Sequence, residues 1–373
     1  MKKIAVIGAS YLQMPLVIKA KELGHEVHCF AWNKDAVCKE VADRFYPISI
    51  TEKDEILEKC SEIGIDGICT IASDVAAPTV AYVAERMDLN ANSYESACRA
   101  NNKYLMRKAL DNAGIPCPKY RCVTDAEGLQ YTDWAFPLIV KPSDRSGSLG
   151  VAKVNSLDEL KKAVATAVGF SFKGEAMVEE FIEGREISVE FISYHGRHYP
   201  LQITDKVTTE TPHFVELEHH QPADLTREIF SYIYELTEKA LKALGLTEGA
   251  SHSEFRITPD GRIVVMEIGG RMGGDFIGSD LVQLSTGYDF VKGVIDVALD
   301  TFHEPTFKTP RYSGVYFLCE ETKELLPIFH SHQHYPEIKR CEQTDTELRN
   351  IECSSDRSGY FIYQSTDKFK VKK

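Results

Sequence analysis

Nowhere in the chain does an apolar run approach the roughly 18 residues needed to span a bilayer, so no membrane-crossing segment is expected. The ten cysteines include no C-x-x-C pair and no regular spacing, which argues against a disulfide-stapled scaffold and for reduced thiols. Dense basic runs are missing outside the KFKVKK tail. With a formal charge of −13 there is little electrostatic support for gripping nucleic acid. The opening MKKIAVIGAS is too short an apolar run for a secretory signal, and a cytosolic location is expected. After the first apolar run, GASYLQMP lacks the second and third glycines of the dinucleotide fingerprint. Tyr11 and Leu12 would also obstruct a pyrophosphate, so the segment reads as a strand-turn-helix corner rather than an NAD site.

What is present is the balance of a soluble globular protein, 43% hydrophobic and 27% charged, over 373 residues, enough for two or three domains. Through the first hundred residues short apolar runs (KIAVIG, HEVHCFAW, DGICTIAS) alternate with amphipathic ones, the pattern of β-α-β crossovers in a doubly wound sheet. The texture changes at NNKYLMRKALDNAG, a helix stopped by Gly114. Beyond it, FPLIVKPSDRSGSLGVAKV reads as strand, glycine loop and strand, LDELKKAVATAV as a helix, and TREIFSYIYELTEKALKALGL as a long helix. HSEFRITPDGRIVVMEIG reads as a hairpin about a PDGR turn. Residues 301–373 mix strands and turns without an interpretable motif.

Three stretches could carry chemistry. The loop SDRSGSLG follows Lys141; small residues let backbone N–H groups approach phosphate oxygens, although a hairpin turn beside an exposed lysine reads equally well. EEFIEGRE, residues 179–186, could line a nucleotide slot or be a solvated acidic turn. In the hairpin, Glu254 and Glu267 flank the turn. Pairing about it could bring both carboxylates to one face, roughly 5 Å apart, where they would share divalent cations. Their apolar neighbours argue for burial, and an unpaired buried carboxylate is costly. The histidines of FHSHQHY (His330, His332, His334) lack a fourth zinc ligand and read as a surface strand or loop.

In order and separation, Lys103 in NNKYLMRKAL, Lys141 in IVKP with its glycine loop, EEFIEGRE, HSEFRI and VVMEIGGRMGG resemble the ATP-grasp superfamily over about residues 1–300. DKVTTETPHFVELEHHQPADL, GASHSEFR and EIGGRMGGDFIGSDL look most like its L-amino-acid ligase branch. The resemblance implies a fold that is α/β and α+β: a doubly wound preATP-grasp domain (1–100), an ATP-grasp N-terminal part with a mobile lid (101–185), a C-terminal part with the metal site (186–300), and an accessory region (301–373). It implies that Lys103 and Lys141 contact ATP phosphates and that a loop including Ser146, Gly147, Ser148 and Gly150 folds over them. Glu179, Phe181 and Ile182 would occupy the adenine hinge, with Glu180 beside them, Glu186 the ribose, and Ile139 and Met266 the purine faces. Glu254 and Glu267 would hold Mg²⁺ or Mn²⁺. Arg271 would face the transferred phosphate and bound carboxylate, acting with Lys141 in catalysis. His252, Arg271 and the turn Gly273, Gly274, Asp275 would form the acceptor pocket; His252 reads equally as a satisfied core histidine. One departure stands out, since many family members read E-x-N where this chain has Glu267, Ile268, Gly269.

The expected activity is ATP-dependent joining of a small carboxylate, such as an amino acid, to an amine through an acyl phosphate, with release of ADP and phosphate. The expected partners are those small molecules, with no nucleic acid and no membrane, and with room for a homodimer. The alternatives are a bicarbonate-dependent carboxylase of a purine precursor and a non-catalytic nucleotide-binding regulator.

Overall fold

The computed structural model describes residues 1–373 except 128, 130–134, 146–148, 210–214, 370 and 372–373. Unbroken apolar strands imply cover on both faces, and that is how the chain begins. The elements run β1 (Lys3–Ile7), α1 (Met14–Glu22), β2 (Glu26–Phe30), β3 (Arg44–Tyr46), α2 (Lys53–Ile63) and β4 (Gly67–Cys69). All four strands are parallel, in the order β3-β2-β1-β4, as the doubly wound expectation requires. The helices α3 (Ala77–Arg86), α4 (Tyr94–Asn101) and α5 (Lys103–Asn112) follow. Asn102 caps α5 by accepting the Leu105 N–H, which fixes where Lys103 starts the helix.

A second sheet is antiparallel: β5 (Tyr120–Val123), β6 (Leu138–Pro142), β7 (Ala152–Val154) and, after α6 (Leu157–Phe170), β8 (Ala176–Glu180), in the order β5-β8-β6-β7. Leu160, Val164 and Ala167 of α6 pack on Val140 and Val178. The third sheet has eight strands. Its members are β9 (Arg185–Tyr194), β10 (Arg197–Thr208), β11 (Glu216–Gln221), then, after α7 (Arg227–Leu244), β12 (Gly249–Ile257) and β13 (Ile263–Gly269). The helices α8 (Val282–Thr286) and α9 (Phe290–Ala298) lead to β14 (Tyr312–Leu318), α10 (Leu326–Ser331), β15 (Ile338–Gln343) and β16 (Gly359–Ser365). The order is β13-β12-β9-β10-β11-β14-β16-β15, so the last seventy residues extend the same sheet through β11 and β14. The three histidines fall at the end of α10 and in the 3-10 turn after it, not on a strand or loop; all three are exposed.

The face alternation of β9 places the functional groups. Ile187, Val189 and Phe191 join Phe255, Val265 and Ile268 in a core closed by Ile233, Leu236, Ala240, Leu241 and Leu244 of α7, whose spacing makes one apolar stripe. Glu186, Ser188 and Glu190 must then point the other way, and that opposite face carries the charged groups described next. Leu241→Ala removes part of the stripe from a fully buried position. It is expected to lower stability by about 2–5 kcal/mol, read as a reduced urea midpoint with an unchanged slope.

Candidate functional site

Counting back from the hairpin turn, Ile257 pairs with Ile263, Arg256 with Val264 and Phe255 with Val265; Met266 should therefore face Glu254. A β-bulge intervenes. It skips Met266 and sets Glu267 directly opposite Glu254, which puts both carboxylates on one face. The bulge is anchored by Arg107, a fully buried residue one helical turn after Lys103, whose Nη2 donates to the Met266 carbonyl at 2.6 Å.

Arg107 also meets Glu179. Its Nε lies 2.9 Å from Oε1 as a charge contact without hydrogen-bond alignment, and its Nη2 donates to Oε2 at 3.3 Å. Lys141 Nζ lies 2.7 Å from the same Oε2. Burial opposes ionisation of Glu179, but Arg107 and Lys141 outweigh it and hold the carboxyl down to about 2. For Lys141 burial wins over Glu179, and its pKa is lowered. Lys103 donates to the Arg145 carbonyl at 2.8 Å and to Glu267 at 3.1 Å. Burial would depress its pKa, yet Glu267, Asp74 and Glu179 raise it overall. Lys103, Arg107 and Lys141 thus face Glu179 and Glu267, a local surplus of one positive charge in an acidic protein.

The far side of the carboxylate pair is held by Lys206, which lies 2.7 Å from Glu186, 2.8 Å from Glu254 and 3.5 Å from Glu216. Its ammonium is buried, and the three carboxylates override that burial to raise its pKa well above normal. Glu254 and Glu267 themselves stay 28% and 30% exposed, so the acids are reachable while their cations are not.

His252 donates through one ring nitrogen to Glu190 and lies 3.3 Å from Glu254 through the other. Burial alone would lower its pKa, but Glu190 and then Glu254 push it up to about 9. It is a buried cation bridging two glutamates, more than a satisfied core histidine. The Gly273 N–H donates to the second oxygen of Glu190 at 3.0 Å, and a Cβ on Gly273 would come within 2.7 Å of His252 and 2.9 Å of Glu190. Arg271 donates to Asp74 at 2.8 Å, an acid delivered by the loop after β4. A Cβ at position 269 would lie 2.8 Å from Asp74 Oδ1, so a side chain there would have to displace the carboxylate that pairs with Arg271.

Glu179 ends β8 with its carboxylate buried and divided between Arg107 and Lys141. Glu186 is engaged by Lys206 at 2.7 Å and by Arg256 at 3.2 Å. Glu180 and Ile182 do line a cleft of about 400 Å³ with Cys117, Tyr232 and Val264. The Ile182 carbonyl accepts from Arg256 at 2.9 Å, and Lys153 sits 3.9 Å over the Phe181 ring. Ile139 pairs with Glu179 across β6 and β8, and Met266 occupies the bulge. Gly150 has φ +71° and packs against Phe170 and Pro142. Gly274 approaches Ala72 and Leu12 of the N-terminal unit. Asp275 meets Arg357, from the turn before β16, at 2.8 Å. Ser146, Gly147 and Ser148 lie outside the described residues.

Asp74, Arg107, Glu190, Lys206 and Arg357 escaped the sequence reading. For Glu190 and Lys206 a signal existed: a charge inside the apolar runs ISVEFIS and QITDKVT.

Two outcomes follow from these charges. His252 gains its partners on folding, so its contribution is complete below its unfolded pKa near 6.5 and is lost as pH rises through about 9. The stability gap between wild type and His252→Gln should shrink by on the order of 3 kcal/mol across that window, followed by urea unfolding at each pH. Arg107→Leu strands Glu179 and should cost about 3–5 kcal/mol by the same measurement.

Residues 134–280 match the family model described as ATP-grasp domain. The alanine-anticapsin ligase of Bacillus subtilis (strain 168) is 27% identical over 303 residues, 71% of this chain and 64% of that protein. The chain spans between about half and two thirds of the length of the first curated relatives it matches. The crystal structure of L-amino acid ligase from Bacillus licheniformis superposes with a TM-score of 0.80 at 24% identity, covering 99% of this chain and 94% of that one. An ADP complex of N5-carboxyaminoimidazole ribonucleotide synthetase gives 0.79 at 18% identity, covering 98% and 93%. Both likenesses give the fold. The chain thus has the ATP-grasp fold, with residues 134–280 matching the ATP-grasp domain family.

Proposed function

We propose that the protein is an ATP-dependent carboxylate-amine ligase that activates a small carboxylic acid, an amino acid by preference, and joins it to an amine. The observation that carries this reading is the partly exposed Glu254–Glu267 pair set between Lys103 and Lys206, with Arg271 following on the same strand exit. Among the described residues no group of three Asp, Glu, His or Cys side chains is placed to enclose a metal. Two carboxylates are too few for a closed site but suit Mg²⁺ or Mn²⁺, which keep phosphate oxygens and water in their shells. Bound there, the ion would draw negative charge off the phosphates.

The remaining work falls to the chain's own side chains. Lys141 and Lys103 supply fixed positive charge where a triphosphate would end, and Arg107 and Glu179 keep them in place. Arg271, oriented by Asp74, can hold the donor carboxylate in line with the γ-phosphate. A carboxylate oxygen then bonds to that phosphorus as ADP leaves. The amine nitrogen bonds to the acyl carbon, phosphate departs with the C–O electrons, and one proton is lost from nitrogen. His252, held as a cation by Glu190, can balance the charge that grows on the acyl oxygen. The likeness to alanine-anticapsin ligase supports an amino acid donor over bicarbonate.

A panel of amino acids taken in pairs with Mg²⁺ and ATP should release ADP and phosphate only when donor and acceptor are both present. AMP and pyrophosphate as products would exclude the acyl-phosphate route, strict bicarbonate dependence would select a carboxylase, and ATP binding without turnover would select a regulator. In the active pair, Glu267→Gln and Arg271→Met are each expected to lower kcat by about 10²–10³, measured by coupled ADP release.

A further inference from the structure

The turn after Arg271 holds two consecutive non-glycine residues in the left-handed region, Asp275 at φ +46° and Phe276 at φ +67°. Such residues cost on the order of 1–3 kcal/mol each and persist only where surrounding contacts fix them. Here the C-terminal region does the fixing. Phe276 packs on Tyr360 with ring centroids 4.3 Å apart, and Arg340 lies 4.8 Å over its ring. Arg357 donates to Asp275 Oδ2 at 2.8 Å, and its other terminal nitrogen donates to the Glu216 carbonyl at 2.9 Å and to Glu216 Oε2 at 3.2 Å. The guanidinium is 7% exposed and rests 3.7 Å over Phe317.

The balance of this cluster is negative: Arg357 meets Asp275 and Glu216, and Lys206 shares Glu216 with Glu186 and Glu254. Three of the five guanidinium N–H groups of Arg357 are taken and its Nε is buried, so it presents little to a substrate carboxylate. The Asp275 side chain is 22% exposed, and among the described residues only its Oδ2 is bonded to Arg357, which leaves Oδ1 as the oxygen to meet a ligand. That oxygen accepts; it suits an ammonium.

Resting on the ligase reading above, we propose that Asp275 anchors the acceptor through its ammonium group before reaction, and that Arg357 is the positioning residue that aims Asp275 from the turn before β16. The second substrate is then a primary amine that arrives protonated, gives one proton to the Asp275 carboxylate to free its lone pair, and loses the second to water as the amide forms; it is selected at a contact four residues beyond the arginine assigned to the donor. This gives the strained turn a purpose: it sets a carboxylate where a relaxed backbone would not.

The test compares two nucleophiles on the same acyl phosphate. The most active donor-acceptor pair from the panel is assayed for amide formation, and the same donor is assayed with hydroxylamine, largely uncharged at neutral pH, for hydroxamate formation. In Asp275→Asn, kcat/KM for the amine should fall at least tenfold more than for hydroxylamine, chiefly through a higher acceptor KM. Arg357→Gln should move the same ratio in the same direction, and Arg357→Lys less. Equal losses for both nucleophiles, or no loss for either, would overturn the proposal in favour of a purely structural pair. Should Arg357→Gln fail to fold by circular dichroism, Asp275→Asn decides alone. If wild type forms neither amide nor hydroxamate, the ligase reading itself falls and takes this inference with it.

Discussion

The bulge at Met266 is the constraint on which the site depends. A regular ladder would have paired Glu254 with Met266 and sent Glu267 to the α7 side of the sheet, among Phe255, Val265 and Ile268. Skipping one residue reverses that and creates a different difficulty, since two carboxylates about 5 Å apart repel by on the order of 3 kcal/mol at an effective dielectric of 20. Lys206 and His252 against Glu254, and Lys103 against Glu267, offset this repulsion. Each cation is buried and each acid partly open, an asymmetry that leaves anionic ligand atoms facing outward while fixed positive charge waits behind them. A metal-phosphate group can enter such a surface by exchanging partners, without moving the backbone.

Each of the three sheets supplies part of the arrangement. The parallel N-terminal sheet sends Asp74 to Arg271, the small antiparallel sheet sends Lys141 and Glu179 to Arg107, and the long sheet carries the glutamate pair, His252 and Lys206. The turn before β16 adds Arg357. Lys206 and its acids form a network within the long sheet, whereas Asp74–Arg271 and Lys103–Glu267 tie elements from different parts of the chain together. Breaking one partner exposes the other to a desolvation cost that water does not repay.

This explains what could be read in advance. The hairpin, the capped helix carrying Lys103, the strand carrying Lys141 and the parallel N-terminal sheet rest on local patterns, and all were legible. The two hairpin glutamates were named, but the periodicity alone would have separated them, because a bulge leaves no mark in an alternation count. Arg107, Asp74 and Arg357 were invisible for a related reason: their partners lie 72, 197 and 82 residues away, and nothing near them in sequence distinguishes a buried ion pair from a solvated charge. Glu179 and Glu186 were named for the site, and their pairing with Arg107, Lys141, Lys206 and Arg256 was not legible. A motif gives the residue, and only the fold gives the direction of its carboxylate.

Gly269 brings these points together. An asparagine there would crowd Asp74 Oδ1, so the usual third oxygen ligand and this arginine clamp compete for one space unless the Asp74 carboxylate shifts. Of the two, the clamp fixes a charge that cannot be lost by deprotonation, and Asp74 together with Glu254 and Glu190 raises the arginine pKa further against its burial. A metal ligand lost from one side can be replaced by water or phosphate oxygen, because Mg²⁺ tolerates both. A guanidinium lost from the other side has no such substitute where a carboxylate must be held in line. On the proposed ligase reading, the rigid part of the site is the one that would hold the carboxylate to be activated, and the metal would complete its own shell.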